Sequence, residues 1–251
     1  MYFFSGHPGA RTGRGFSNDL WAFGKYGGCP DHPGMMNPAN GYGFFDDFLD
    51  LPTGRHTVTQ ATQGTFALDD KRYGVVLADC NSTTSTQGVN VQRGGSTGES
   101  FAPLDGTSIF FEARVKAADI ATGPEFFLGL AVIDTSIIGS SALSAQAIGF
   151  KSVTDDNIIL ATCKDGSSET TASSIHTFVD DAYVRLGFRV TDDSLVEFFV
   201  NGLVVGRITA NIPTGEMVAS VVCQSAGTTD PIVHMDWWAG ACHDTLLGSG
   251  A

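Results

Sequence analysis

Aspartates are the residues of this sequence whose types and spacing most readily suggest chemistry. Asp46 and Asp47 stand close to Asp50, and further adjacent pairs occur at 155–156, 180–181 and 192–193. Ca²⁺ takes about six to eight oxygen ligands, which carboxylates at a turn can supply. None of these groups has the spaced Asp-x-Asp-x-Asp-Gly form of a calcium loop. Asp is also common where a loop meets a strand, because its side chain caps turns. The pattern favours turn capping and leaves structural calcium as the alternative.

Paired carboxylates for glycoside hydrolysis are the next candidates. A retaining hydrolase needs two carboxyl groups about 5 Å apart, which acids at alternate positions of one strand would supply. No Glu-x-Asp-x-x-Glu or Glu-x-x-x-Glu run occurs, and Glu112 and Glu197 stand alone. We therefore predict no catalytic residues and no enzyme activity.

Cysteine and histidine give only a weak indication of a metal site. Cys29-Pro30-Asp31-His32 and Cys242-His243 lie at opposite ends of the chain, whereas a tetrahedral zinc site needs four converging ligands. The same separation disfavours a Cys/His nucleophile. Five cysteines without paired spacing predict reduced thiols, mostly buried in strands. His234 lies within a strand and is expected to be a hydrogen-bonded structural histidine. We predict neither a metal nor a cofactor.

Charge and composition argue against nucleic-acid and membrane partners. The 251 residues include 14 Lys and Arg against 27 Asp and Glu, which gives a net charge of −13. Nucleic-acid binding depends on clustered Lys and Arg, and this sequence has no such cluster. The Gly-rich run 93–98 lacks the Lys and the following helix of a phosphate loop. No apolar run approaches a membrane span, and the first residues do not resemble a secretory signal, so we expect synthesis in a cytoplasm.

The elements that must carry any site are β-strands, most clearly in the stretch Tyr183–Ile208. Val184, Leu186, Phe188 and Val190 alternate with other residues at the period of two that is typical of a half-buried strand. Asn201-Gly202 is the dipeptide that most readily adopts a type I′ hairpin turn. The stretch therefore predicts three strands joined by two turns.

About a dozen short strands are predicted in all, and turn residues separate them. Apart from the central stretch they occupy 57–67, 74–78, 89–92, 108–116, 125–133, 147–153, 157–163, 216–223 and 232–239. Runs 134–147 and 166–174 are predicted as surface connections, the first with room for one helical turn. The fold class is all-β: two antiparallel sheets packed face to face as one domain at 44–251. A jelly-roll arrangement would place 44–50 beside the last strand.

Two aromatic features suggest contacts with a partner. Trp237-Trp238 on one strand places one ring in the core and one outward, where it could stack on a sugar or pack on a partner. Residues 1–43 form a predicted extended arm, rich in Gly, Pro and aromatics without periodicity. It either packs along its own domain or crosses a neighbouring subunit. The predicted partner-binding residues are Phe3, Phe4, Arg11, Arg14, Phe16, Trp21 and Phe23.

Several runs together resemble the jelly-roll proteins of tailed bacteriophages, whose fold is related to concanavalin-like lectin and glucanase-type β-sandwiches. The runs are FFDDFLD, SIFFEARVK, EFFLGLAVID, IGFK, YVRLGFRV and VEFFVNGLVVGRI, and the resemblance covers about residues 44 to 240. It implies a capsid decoration (cement) protein on the virion surface that binds the major capsid protein as a homo-oligomer, either a trimer or a dimer. The alternative is a carbohydrate- or receptor-binding module of a phage head or tail fibre.

Overall fold

The computed structural model describes residues 41–60, 63–70, 74–94, 101–118, 124–139, 142–152, 157–227 and 229–244. These ranges contain seventeen β-strands and no helix. No helix within them is therefore long and apolar enough to cross a membrane. The all-β prediction is confirmed.

The strands form two large antiparallel sheets and one short hairpin. Sheet A has the order β15-β14-β13-β6-β17-β4-β3, with β1 paired to β17, and sheet B has the order β12-β11-β10-β7-β16-β5-β2. The hairpin is β8-β9. The bounds are β1 Gly41–Asp46, β2 His56–Gln60, β3 Thr65–Asp70, β4 Val75–Asp79, β5 Gly88–Arg93, β6 Thr107–Ala118, β7 Pro124–Ala131, β8 Ile138–Gly139, β9 Ala142–Leu143, β10 Ala147–Ser152, β11 Ile158–Lys164, β12 Glu169–Thr177, β13 Val184–Thr191, β14 Leu195–Val200, β15 Leu203–Ile208, β16 Val218–Ser225 and β17 Ile232–Asp244.

The core lies between the two sheets and takes alternate residues from each strand. Phe111 and Phe188, on neighbouring strands of sheet A, stack with ring centroids 5.3 Å apart. Phe150 of sheet B meets Phe198 of sheet A edge to face at 5.5 Å. All four rings are fully buried. Fully burying such a side chain contributes roughly 1.5–3 kcal/mol, so the contact between the sheets dominates the stability of the domain.

The central meander is confirmed as three strands, β13, β14 and β15. Asn201 and Gly202 have φ of 51° and 85°, the left-handed values that a type I′ turn requires. The side chain of Asn201 also accepts a hydrogen bond from the Arg185 backbone N–H at 3.0 Å, which fixes the turn against β13.

The last strand lies beside the first, as the jelly-roll arrangement predicts. β17 pairs with β6 along one edge, and with β4 and then β1 along the other. Phe44 pairs with Gly240, where a Cβ would lie 2.6 Å from the Phe44 ring. Glycine is therefore required there for the aromatic side chain to enter the core. β1 begins at Gly41, inside the 1–43 range predicted for the arm.

Three predictions about local structure were wrong. Run 57–67 is not one strand, because β2 joins sheet B whereas β3 joins sheet A. Run 166–174, predicted as a loop, contains most of β12, the edge strand of sheet B. The connection at 134–147 is neither a helical turn nor an exposed loop in its described part. It contains the β8-β9 hairpin, and three of its apolar side chains are buried, namely Ile137, Ile138 and Leu143.

Two glycines face each other where β7 pairs with β10, and neither leaves room for a side chain. A Cβ on Gly129 would lie 2.2 Å from the Ile148 carbonyl oxygen, and one on Gly149 would lie 2.3 Å from the Leu128 carbonyl oxygen. Since both obstacles are backbone atoms of the same ladder, neither can rotate away. The two strands can therefore pair at this register only with glycine at both positions.

We expect Gly129→Ala to lower the free energy of unfolding by about 1–3 kcal/mol or more, because the ladder must shift to admit a methyl group. Urea unfolding followed by tryptophan fluorescence would measure the change. Gly139→Ala is the matched control, since its Cβ would meet nothing closer than the Ser144 Cβ at 3.8 Å. Equal stability of the two variants would contradict the steric argument.

Candidate functional site

The face of sheet B turned away from the core carries an unusual number of buried polar side chains. They alternate with core residues: Val89 and Val91 of β5 enter the core, so Asn90 and Gln92 point to the outer face. The buried polar side chains on this outer face are Asn90, Gln92, Glu125, Lys151, Thr162, Lys164, Ser220 and Gln224. Buried polar groups require partners, so another part of the molecule must cover this face.

The cover is the chain between β7 and β10, residues 132–146, of which 132–139 and 142–146 are described; we call it the flap. Ile137, Ile138 and Leu143 of the flap form an apolar cluster with residues from the outer face of sheet B. Those sheet residues are Phe127, Ala131, Ala147 and Val222. The middle of the outer face of sheet B, at β7, β10 and β16, is thus covered by the protein's own chain.

Side-chain amides of β5 hold the flap to the sheet. Gln92 donates from Nε2 to the Val132 carbonyl oxygen at 3.0 Å and accepts from the Asp134 N–H at 2.9 Å. Asn90 donates from Nδ2 to the Asp134 carbonyl oxygen at 2.9 Å. At the other end, the Val132 N–H donates to the Gln146 carbonyl oxygen at 3.0 Å. These bonds satisfy flap backbone groups that would otherwise be buried without partners.

A cleft of about 300 Å³ remains between the flap and strands β5 and β16. Its lining includes Asn90, Gln224 and Val222 from the sheet side, together with Thr135 and Ser136 from the flap. Asn90 is only 6% exposed, and its Oδ1 is buried without a hydrogen-bond partner among the described residues. The cleft is therefore an open space bounded by both the sheet and the flap.

The carboxylates near the two outer faces are held in ion pairs and hydrogen bonds. On sheet B, Glu125 accepts a hydrogen bond from Gln224 Nε2, and Glu169 pairs with Lys151. On sheet A, the Asp236 carboxylate meets Arg114 at 2.5 Å. Each of these acids is thus held by a neighbouring side chain.

Glu197 is held by two guanidinium groups on the outer face of sheet A. Arg207 Nε donates to its Oε1 at 2.9 Å, and Arg189 pairs with its Oε2. Burial acts to raise the pKa of Glu197, but the two arginines outweigh it and hold that pKa below its usual value. Glu197 is thus ionised and is not a proton donor near neutral pH.

The aspartate groups behave as turn caps and ion-pair partners. Asp46 Oδ1 accepts from the Phe48 N–H at 3.2 Å, and its carboxylate lies 3.4 Å from His56 Nε2. Burial would raise the pKa of Asp46, but His56, the Phe48 N–H and Arg55 together lower it. Asp192 Oδ1 caps the Gly106 N–H at 3.0 Å. Asp155 and Asp156 lie outside the described residues, within which no cluster of three or more His, Cys, Asp or Glu side chains could hold a metal.

Cysteine and histidine predictions agree with the described part of the chain. Cys80, Cys163, Cys223 and Cys242 are buried thiols, whereas Cys29 lies outside the described residues. Burial raises the pKa of Cys80 to about 11, which keeps that thiol protonated and unreactive. The Nδ1 atom of His234 lies 3.1 Å from Asp69 Oδ2, so this histidine is hydrogen-bonded, as predicted.

The tryptophan pair is divided between the two faces, but no ring is exposed. Trp238 belongs to the core between the sheets. Trp237 points to the outer face of sheet A, yet it is 0% exposed and lies 6.2 Å from the Phe45 ring. The expectation of an outward ring free to stack on a sugar was therefore wrong.

The seven predicted partner-binding residues lie outside the described residues, so their role stays a prediction. They are Phe3, Phe4, Arg11, Arg14, Phe16, Trp21 and Phe23.

The residues that sequence reasoning missed are Asn90, Gln92 and Gln224. The available signal was the alternation Val89-Asn90-Val91-Gln92, which places two amides on one face of a strand.

Comparisons with known proteins define the fold. No protein-family model matches the chain. No curated protein matches it in sequence. Peanut lectin has a TM-score of 0.55 at 13% identity, covering 80% of this chain and 97% of that chain. An endo-1,3-β-glucanase from Streptomyces sioyaensis has a TM-score of 0.55 at 14% identity, covering 80% and 95%. A protein of unknown function from Shewanella oneidensis has a TM-score of 0.57 at 12% identity, covering 82% and 88%.

The chain therefore has the jelly-roll β-sandwich fold that concanavalin-like lectins and glucanases share. At these identities the likeness concerns the fold alone, and function has to be argued from the site.

We expect Glu197→Gln to lower the free energy of unfolding by about 1–2 kcal/mol at pH 7, because two charge-assisted hydrogen bonds lose their anion. The folded-state pKa of Glu197 is lowered, so its contribution is present above the unfolded value of about 4.3 and is lost as the pH falls through the folded value. The variant should therefore approach the parent in stability toward acid pH.

Urea unfolding at a series of pH values would test this expectation. Glu216→Gln is the control, because Glu216 is exposed and makes no ion pair with the described residues. A Glu197→Gln deficit that is the same at acid and neutral pH would rule out the ion-pair explanation.

Proposed function

We propose that this protein is a structural virion protein that decorates and stabilises a phage capsid by binding between major capsid subunits. The proposal starts from the resemblance of residues 44 to 240 to jelly-roll proteins of tailed bacteriophages. The observation that carries it is an exposed apolar edge strand, which suits attachment to a large partner. The flap supports it further, since it covers the middle of the outer face of sheet B.

Strand β15 is the end strand of sheet A, and its first three residues are apolar and exposed. Leu203, Val204 and Val205 are 70%, 48% and 39% exposed, and the one charged residue of the strand, Arg207, pairs with Glu197. Edge strands are usually shielded by charge, proline or a covering segment, because their free N–H and C=O groups pair readily with another chain. Burying these three residues against a capsid subunit would combine apolar contact with strand pairing.

The arm supplies the second proposed contact. Its aromatics offer apolar area, and Arg11 and Arg14 give it local positive charge within an acidic protein. About forty extended residues could reach roughly 100 Å or more, far enough to cross a neighbouring subunit. Binding would be spread over a large area without a single pocket. We propose a trimer or dimer on the capsid surface, synthesised in the host cytoplasm, without nucleic acid or membrane as a partner.

Removing residues 1–40 should weaken binding to capsids while leaving the domain folded. The cut is placed before Gly41 because β1 pairs with β17 from that residue onward. Co-sedimentation with phage heads stripped of the protein would measure the bound ratio. Saturable binding by the full chain, reduced by truncation, is expected. Failure of the full chain to bind would overturn the proposal, and thermal unfolding would verify that the truncated chain is folded.

Leu203→Lys should weaken capsid binding at least about tenfold, because a charge would have to be buried at the proposed contact. Val179→Lys is the matched control: Val179 is 63% exposed but lies in the connection between β12 and β13. The same co-sedimentation would be used for both variants. Equal loss in both, or no loss in either, would show that β15 is not the contact.

The second candidate function is a carbohydrate- or receptor-binding module. The observation that favours it is the cleft beside the flap, which is lined by Asn90, Gln224, Thr135 and Ser136. A hydrolase is not proposed, because Glu125, Glu169, Glu197 and Asp236 are each bonded to a neighbouring side chain.

A further inference from the structure

The outer face of sheet A carries an apolar cluster that is buried although it points away from the core. Its members are Phe110, Phe199, Ala239 and Ala241, with Phe45 packed against them. They point outward because the residues that alternate with them, such as Phe111 and Phe198, enter the core. An antiparallel sheet whose outer face meets water usually carries polar residues there. This cluster therefore indicates that the centre of the face is covered.

The exposures across the face locate the cover. Trp237 is 0% exposed and Glu112 1%, although both lie on the outer face, at β17 and β6. Val204 of β15 is in register with Phe199 of β14, yet it is 48% exposed beside a phenylalanine that is 6% exposed. The cover thus lies over β17, β6 and β14 and leaves the edge strand β15 open.

No strand within the described ranges supplies this cover. Every described strand belongs to one of the two large sheets except β8 and β9, whose hairpin packs on sheet B. The apolar cluster on sheet B includes residues of the flap, whereas the described members of the cluster on sheet A come from β1, β6, β14 and β17 alone. What covers sheet A must therefore come from the rest of the chain or from another molecule.

The undescribed runs inside the domain are too short to cross the face. The longest of them is 95–100, and each is tied at both ends to described residues. Residues 245–251 follow β17 directly, but Trp237 lies seven positions before Asp244. That distance of roughly 23 Å would use the whole tail and leave nothing for the turn. Within the chain itself, only residues 1–40 are long enough.

Residues 1–40 also end at the right place. They join β1 at Gly41, and Phe45 of the same strand packs against the cluster. Neighbouring strands lie about 4.8 Å apart, so the path from β1 over β17, β6 and β13 to β14 is roughly 20 Å, which about six extended residues can span. The large apolar or aromatic residues nearest to Gly41 are Met36, Met35 and Tyr26. These nearest residues are favoured, because the entropy cost of closing a loop rises with its length.

We propose that residues 24–40 fold back over the outer face of sheet A of their own subunit, with Met35 and Met36 packed against the apolar cluster. All seven residues predicted to bind a partner lie before residue 24, so they remain available to a capsid subunit. For this part of the arm, the proposal selects packing along its own domain over crossing a neighbouring subunit. It goes beyond capsid decoration and does not depend on it.

Acrylamide quenching of tryptophan fluorescence in the free protein would test the proposal. The sequence has three tryptophans, so Trp21→Phe leaves Trp237 on the face and Trp238 in the core. In the full chain with Trp21→Phe, both remaining indoles should be shielded. Adding Met35→Lys and Met36→Lys should raise the quenching constant severalfold, because charged side chains would leave the apolar face and uncover Trp237. Phe3→Lys with Phe4→Lys is the matched control and should leave the constant unchanged.

Two truncations divide the arm independently of these substitutions. Removal of residues 1–23, which takes Trp21 with it, should leave Trp237 shielded. Removal of residues 1–40 should expose it, and a further Trp237→Phe substitution should abolish the added quenching. Thermal unfolding would verify that both shortened chains are folded.

Unchanged quenching in both the lysine variant and the folded 41–251 chain would overturn the proposal. Exposure of Trp237 already on removal of 1–23 would contradict the assignment to residues 24–40. A rise in quenching on removal of 245–251 alone would assign the cover to the C-terminal tail instead.

Shielding that disappears on dilution, together with a sedimentation coefficient that depends on concentration, would identify a second copy as the cover and refute packing within one subunit. All these measurements are made without capsids. Failure of this inference is therefore distinguishable from failure of the capsid proposal, which co-sedimentation tests.

Discussion

Apolar contact between the two sheets is the interaction on which every other feature of this structure depends. Each long strand contributes alternate side chains to that core, including Phe111, Phe150 and Trp238. Because alternate residues of each strand point into the core, the residues between them point to the outer faces. The polar side chains of Asn90 and Gln92 are outward because Val89 and Val91 are inward. The site is therefore a consequence of the register that the core imposes.

Sequence patterns predicted those parts of the fold that depend on residues close together in the chain. The Tyr183–Ile208 meander was predictable because its strands alternate strictly and its Asn-Gly turn adopts left-handed φ values at little cost. β12 was missed because it is an edge strand, with polar and partly exposed residues on both faces, so it lacks an apolar period. The flap was missed because its few apolar residues are buried only by contact with distant strands.

The candidate site likewise depends partly on neighbouring residues in the chain and partly on contacts with distant ones. The alternation of β5 predicts the direction in which Asn90 points, but an outward polar side chain is ordinarily solvated. Its burial depends on Asp134, more than forty positions along the chain, which sequence spacing does not disclose. Residue type alone was also a poor guide to chemistry. Glu197 carries a functional group suited to catalysis, yet two arginines from neighbouring strands reduce it to an ion-pair partner.

The flap also explains why a shared fold need not bring a shared function. Peanut lectin and the Streptomyces glucanase have the same two-sheet architecture. A shared fold determines where the outer faces of the two sheets lie, but it does not determine what binds to them. Here the middle of one outer face is covered by the protein's own chain, and a small cleft remains beside it. Exposed apolar residues lie elsewhere, at the edge strand β15 of the other sheet. Because these two surfaces share no strand, a change at one can be separated from an effect at the other.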